Sequence, residues 1–250
     1  MVTTNFYTSD VYLQNNPDWH IHTSRWKAES ILQIMRQNKI DPSSVCEIGC
    51  GAGEILRLMQ KQLDPQALLV GYDIAPKAIQ LAQTRENEHL HFHLGDFVQE
   101  VGNDTYDLIL IVDVLEHFEN CFQLLRDIKP KSTYKILQLP LDISALSVIL
   151  NELIQYRHAT GHLHFFTKDI ALEILRDAGY TIRDMFYELR PFENPWSWRE
   201  ARLHPIKIPI MLLKLLRRVF YRVPRQLLFA LHPDFAVRLL GGWRLLVLVE

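Results

Sequence analysis

A chain of 250 residues with 48% hydrophobic side chains is long enough for one large domain or two small ones around a real core. Its net charge of −2 argues against a nucleic-acid binder, and three cysteines with no paired C-x-x-C exclude a disulfide framework. No uncharged apolar run approaches the ~18 residues of a membrane span.

Met1–Asn5 shows no basic stretch leading into an apolar run, so no signal peptide is expected, and a reducing cytoplasm is the expected compartment. Residues 1–24 are polar and aromatic and read as an arm packed on the surface. Apolar residues at 28, 31, 32, 34 and 35 predict a helix over Trp26–Gln37, ended by Asp41-Pro42. Ser44–Ile48 reads as a short buried strand. It runs into the turn Gly49-Cys50-Gly51-Ala52-Gly53 and a helix from Glu54 to about Gln62. Ala67–Tyr72 is a continuous apolar run of the kind found in parallel sheets, ending at Asp73. Pro76 opens the next helix, which reaches about Thr84.

His89–Leu94 alternates, with His89, His91 and His93 on one face. Such a triplet suggests a metal, but no carboxylate or cysteine completes the set, so a half-exposed edge strand is the reading and no metal is expected. Tyr106–Val112 is an uninterrupted strand, and a helix follows over Cys121–Lys129. Tyr134–Leu139 is the next strand, and Pro140 and Asp142 open a helix to about Tyr156. A loop over 157–166 carries Gly161, His162 and His164. Thr167 then caps a helix over Lys168–Ala178 that Gly179 stops, and Tyr180–Leu189 is a strand.

Strands joined by helical crossovers make this an α/β chain with a doubly wound, mostly parallel sheet. Six prolines then divide residues 190–242 into short helices, three of them predicted over Ile210–Tyr221, Arg225–Leu231 and Asp234–Leu240. Between Arg199 and Arg238, nine Lys/Arg stand against two Asp/Glu. Trp243–Val249 closes the chain as an apolar strand.

The glycine turn has a ligand-binding look, since bare backbone N–H groups can approach a ligand there. A dinucleotide fingerprint needs a third glycine where Glu54 stands, and a carboxylate in the first helical turn repels a pyrophosphate. Glu47-x-Gly49-x-Gly51-x-Gly53 instead resembles motif I of the class I S-adenosylmethionine (SAM)-dependent methyltransferases. Gly71-Tyr72-Asp73-Ile74, Gly95-Asp96-Phe97 and Tyr106-Asp107-Leu108-Ile109 running into Asp113-Val114-Leu115-Glu116-His117 follow in the family's order. The resemblance covers about residues 25–190.

That resemblance implies a Rossmann-like sheet of seven strands, the last one antiparallel and inserted beside the sixth. It divides the chain into a flap over the cofactor (1–24), the SAM-binding core (25–190), a basic helical insertion (191–242) and the last core strand (243–250). It implies that Glu47, Gly49, Cys50, Gly51 and Gly53 line the methionine part of SAM. Asp73 takes the ribose hydroxyls, Ile74 packs on the adenine, and Asp96 and Phe97 meet the adenine edge. Val112, Asp113 and Val114 lie between the methyl and its acceptor, with Asp113 orienting the acceptor or facing the sulfonium.

His117 is either a general base or a hydrogen-bonded support behind the ribose. One of His162 and His164 touches the acceptor, or both pack the loop; His164 is the catalytic candidate. The expected product is S-adenosylhomocysteine (SAH). The expected acceptor is a small molecule, apolar or lipid-linked, methylated on oxygen or carbon, because no N/D-P-P-Y/F motif is present. A non-catalytic SAM-fold interaction protein is the alternative. The basic insertion is packing, a substrate cap, or an amphipathic membrane-surface element over 206–225; nucleic acid is not an expected partner. Nothing in the sequence speaks to oligomeric state.

Overall fold

The structure, a computed structural model, describes residues 21–189 and 223–250. Seven strands form one sheet in the order β3-β2-β1-β4-β5-β7-β6. They are β1 (Ser44–Ile48), β2 (Leu68–Asp73), β3 (Leu90–Leu94), β4 (Tyr106–Val112), β5 (Ser132–Pro140), β6 (Ile182–Leu189) and β7 (Trp243–Val249). The first five pair in parallel; β7 runs antiparallel between β5 and β6, as the resemblance implied.

The helices are α1 (Ile21–Gln37), α2 (Glu54–Gln60), α3 (Pro76–Gln83), α4 (Phe97–Glu100), α5 (Cys121–Ile128), α6 (Ala145–Ile149), α7 (Glu152–Thr160), α8 (Lys168–Asp177) and α9 (Pro233–Leu240). Residues 223–231 are also helical. Two cores sandwich the sheet, and β4 shows why. Its Leu108, Leu110 and Val112 face one core with α1, α2 and α3, while Ile109 and Ile111 face the other with α5 and α8. Both faces are dry from Leu108 to Val112, so the strand is apolar there, and its one charged residue, Asp107, is exposed near its start. Each fully buried Leu or Ile contributes about 1.5–3 kcal/mol relative to exposure.

Several boundaries differ from the sequence reading. α1 starts at Ile21, five residues before the expected Trp26, so residues 21–24 of the expected arm form its first turn; residues 1–20 lie outside the described residues. The single helix expected between Pro140 and Tyr156 is two, α6 and α7, broken at Asn151, whose φ of 55° is left-handed. Asn enters that region more readily than most residues. α7 then runs on to Thr160, shortening the loop to 161–166. The expected helix Ile210–Tyr221 and most of the membrane-surface segment 206–225 lie outside the described residues. Among the described residues no helix is long and apolar enough to cross a membrane.

Candidate active site

Because β1, β2, β3 and β4 are parallel, their carboxyl ends share one edge of the sheet, where folds of this kind bind ligands. The glycine turn sits there. Gly49 and Cys50 both donate to the carbonyl of Tyr72, at 2.8 and 3.0 Å, clamping the turn to the end of β2. Gly51 has φ +53° and nothing within 4 Å of where a Cβ would stand, so its backbone faces open space. Gly53, at φ +74°, is different: a Cβ there would lie 2.3 Å from the Phe92 ring. Val114, at the β4 tip, packs under Gly49.

Asp73 ends β2. One carboxylate oxygen accepts from Gly51 N–H at 2.7 Å and the other from Ala75 N–H at 2.8 Å. These donors fix its orientation beside the open space over Gly51. Burial pushes its pKa up, and the N–H donors oppose that. Ile74 follows as an exposed apolar side chain, 37% accessible at the rim. At the next tip, Asp96 caps α4, its Oδ1 accepting from Val98 N–H at 3.0 Å. The Phe97 ring, expected at the adenine edge, is buried edge-on against Tyr72, 5.4 Å between centroids.

Glu47 is 1% exposed and its Oε2 has no hydrogen-bond partner. Desolvation pushes its pKa up to about 8, opposed by Lys27 and reinforced by Asp73. A buried carboxylate with an unpartnered oxygen, one residue from the end of β1, fits a cationic group. With the oriented Asp73, the open Gly51 and exposed Ile74, it makes a set that fits SAM: an ammonium, a ribose diol and a base each find a suitable surface. Cys50 is buried in the turn. Glu54 binds Arg57 at 2.6 Å and Arg85 at 3.2 Å. Its charge is thereby offset, so the case against a pyrophosphate rests on the missing glycine and not on repulsion.

Buried Val112 ends β4 and Asp113 follows it. Asp113, expected to orient the acceptor or face the sulfonium, is held by two cations. Its Oδ2 is 2.8 Å from Lys27 Nζ and its Oδ1 accepts from Arg244 Nε at 2.9 Å. Burial alone would raise its pKa, but Arg244 and Lys27 outweigh that and hold the carboxyl well below the usual range. Lys27 and Arg244 were not singled out from the sequence. Both left a signal: Lys27 falls on the buried stripe of α1, and Arg244 is the charged residue inside the apolar run Trp243–Val249.

The 3₁₀ turn Leu115–His117 and the loop 161–166 meet beside this tip. The Glu116 carbonyl accepts from Leu163 N–H at 2.8 Å and His164 N–H at 3.1 Å. His164 Nε2 bonds the Phe118 carbonyl at 2.8 Å and its ring stacks on Phe166. That is the packing role, and it replaces the expected acceptor contact: the nitrogen facing a carbonyl must carry a proton and cannot act as base there. His162 is held differently, its Nδ1 2.7 Å from Asp142 Oδ2, with its ring edge-on to His117 at 5.0 Å. The β3 histidines do not converge. His91 bonds the Glu88 carbonyl and His93 tilts against Tyr72.

Residues 19–184 match the family model described as a methyltransferase domain. The chain belongs to that family, and its motifs and sheet are those of the class I SAM-dependent methyltransferases. It is 28% identical over 114 residues to a malonyl-[acyl-carrier protein] O-methyltransferase of Bacillus cereus, a match over 44% of this chain and 42% of that one. The matched stretch thus spans less than half of that relative. The plantazolicin methyltransferase BpumL, solved with SAH, superposes with a TM-score of 0.62 at 19% identity, covering 99% of this chain and 93% of the other. Magnesium protoporphyrin IX methyltransferase from Synechocystis, also solved with SAH, gives 0.60 at 18%, covering 76% and 94%. At those identities the likeness is one of fold.

Proposed function

We propose that this protein moves a methyl group from SAM to an oxygen or carbon of a small-molecule acceptor, releasing SAH. The observation that carries this is Asp73, held by two backbone N–H groups beside the open backbone at Gly51. A carboxylate so oriented accepts two vicinal hydroxyls, the feature a ribose presents. The bound cofactor supplies an already activated methyl: the new bond to the acceptor forms as the C–S bond breaks, with its electron pair passing to sulfur. The chain's task is then positioning, which can supply much of the rate. Lys27 and Arg244 serve it by holding the turn after β4 through Asp113.

The acceptors named for the relatives, malonyl-[acyl-carrier protein], plantazolicin and magnesium protoporphyrin IX, support methylation of a non-nucleic-acid acceptor without choosing among them. Three buried, free cysteines support a reducing, cytoplasmic setting. Calorimetric titration of SAM and SAH tests the cofactor. Asp73→Ala should weaken both more than about tenfold, the equivalent of ~1.4 kcal/mol; unchanged affinity would refute the ribose assignment. SAH release across a library of hydroxyl, carboxyl and carbon acid acceptors tests turnover, and silence throughout would favour the non-catalytic alternative.

A further inference from the structure

Glu116 poses a problem that the cofactor site does not resolve. Its side chain is fully buried, and neither carboxylate oxygen has a hydrogen-bond partner. A lone buried carboxylate is costly unless something cationic meets it. The nearest ring nitrogen in the turn, His117 Nε2, stands 3.8 Å from Oε1, beyond hydrogen-bond reach. Arg244 is already committed to Asp113.

The side chains around Glu116 have the chemistry of a cation site. One ligand atom from each of Glu116, His117 and His162 can be chosen so that all lie within 4.8 Å of one another. Ligands of a tetrahedral ion, each ~2.1 Å from it, lie roughly 3.4 Å apart, so modest side-chain torsions close the set. Asp142 takes Nδ1 of His162 at 2.7 Å, the carboxylate–histidine pairing found behind metal-bound imidazoles, in which Nε2 is the nitrogen that meets the ion. The elements are pre-joined as well. Leu163 and His164 donate to the Glu116 carbonyl, so the loop carrying His162 is latched to the turn carrying Glu116 and His117.

We infer that Glu116, His117 and His162 form a binding site for one divalent transition-metal ion of the zinc class, with Asp142 as the outer partner of His162. Two imidazoles with one carboxylate select zinc-like ions over magnesium or calcium, which favour all-oxygen shells. Three protein ligands leave a position open. The site lies where β4 and β5 end, at the same edge of the sheet as Asp73. Resting on the methyltransferase reading, the open position takes the acceptor's oxygen. A hydroxyl bound there loses its proton to solvent near neutral pH and presents an oxyanion, as a metal-bound water does.

The full chain, stripped with a chelator and titrated with Co²⁺ as a spectroscopic stand-in for zinc, should take up one equivalent. It should show the intense visible absorption of a four-coordinate site, and Zn²⁺ should displace that signal. Glu116→Gln and, separately, His162→Gln should abolish stoichiometric uptake, and Asp142→Asn should weaken it about 10–100-fold. His162 lies on the loop 161–166, so its variant decides the matter even if the buried Glu116 variant does not fold. Absence of uptake by the unaltered chain, or uptake unchanged in His162→Gln, overturns the site. SAH titrated into the same samples separates the two readings. Binding of SAH without Co²⁺ overturns the metal alone, and binding of Co²⁺ without SAH overturns the methyltransferase reading.

Discussion

Arg244 Nε donates to Asp113 Oδ1 at 2.9 Å, joining the second residue of β7 to the turn that follows β4. Lys27 of α1 closes on the other oxygen. Asp113 itself has φ +53°, a left-handed conformation uncommon for a residue with a side chain. The two cations hold the carboxylate from opposite elements, and the Asp113 N–H donates to the Gln138 carbonyl. One ion triad thus ties α1, the middle of the sheet and β7 at the ligand edge.

Asp113→Ala leaves Lys27 and Arg244 largely buried without their counter-charge. Breaking a buried pair in this way costs about 3–5 kcal/mol, and the lower end applies because Arg244 keeps some exposure. The folded carboxyl titrates below its unfolded value of ~3.9. Its contribution is therefore complete above about pH 4 and is lost as pH falls through the folded pKa. Urea midpoints measured across that range should show a shallower acid limb in Asp113→Ala than in the unaltered chain. Parallel limbs would mean that the triad adds nothing.

Gly51 and Gly53 should fail in different ways. Gly51→Ala meets no neighbour, so its stability cost is the left-handed backbone alone, about 1–2 kcal/mol. Its methyl would occupy the open space beside Asp73, and SAM affinity should fall more than stability does. Gly53→Ala would collide with the Phe92 ring in the core, and unfolding should be its main defect. Paired denaturation and calorimetry would distinguish them; equal effects on binding would move the cofactor away from Gly51.

The strands that could be read residue for residue from the sequence, β1, β4 and β7, are those buried on both faces. Burial there writes a mostly apolar run, whose charged interruptions are Glu47 in β1, Asp107 in β4 and Arg244 in β7. β5 begins two residues before the expected Tyr134 because Ser132 and Thr133 are polar yet already paired with β4 or in line with it. Asn151 carried the signal for the break between α6 and α7, but an asparagine inside a helical pattern does not by itself reveal a positive φ. The acids at the strand tips were legible because their spacing follows the β–α repeat. The pairing of Asp113 with Arg244 was not, because it depends on the register of an antiparallel strand inserted from 131 residues away. Likewise the isolation of Glu116 is a property of packing that no local pattern records.

Lys135 offers a stability test far from the ligand edge. It is 1% exposed near the start of β5, where its Nζ donates to the Lys129 carbonyl at 2.7 Å and to that of Ser132. Desolvation, helped by Lys129, lowers its pKa to about 8. The unfolded chain titrates at ~10.4. Between these values the unfolded state holds more protons, so stability should rise with pH from about 8 to about 10.4. Lys135→Met should lack that rise. The difference between the two denaturation curves cancels the other groups that titrate there, and a flat difference would mean that Lys135 is better solvated than its burial indicates.

Glu47 turns the same linkage into a statement about the ligand. Desolvation raises its pKa to about 8, so the free protein holds it protonated at neutral pH. The unfolded value is ~4.3, so the free protein should lose stability as pH rises from about 4.3 to about 8, and no further above that. A cofactor ammonium reverses the preference, because it favours the carboxylate. Binding should therefore release a proton below about pH 8, and SAM affinity should climb with pH until that point. Calorimetry in buffers of different ionisation enthalpy reads the proton directly. Glu47→Gln should bind more weakly, with an enthalpy that no longer depends on the buffer. A buffer-independent enthalpy in the unaltered chain would place the ammonium elsewhere, and the orphaned Glu47 oxygen would then need another partner.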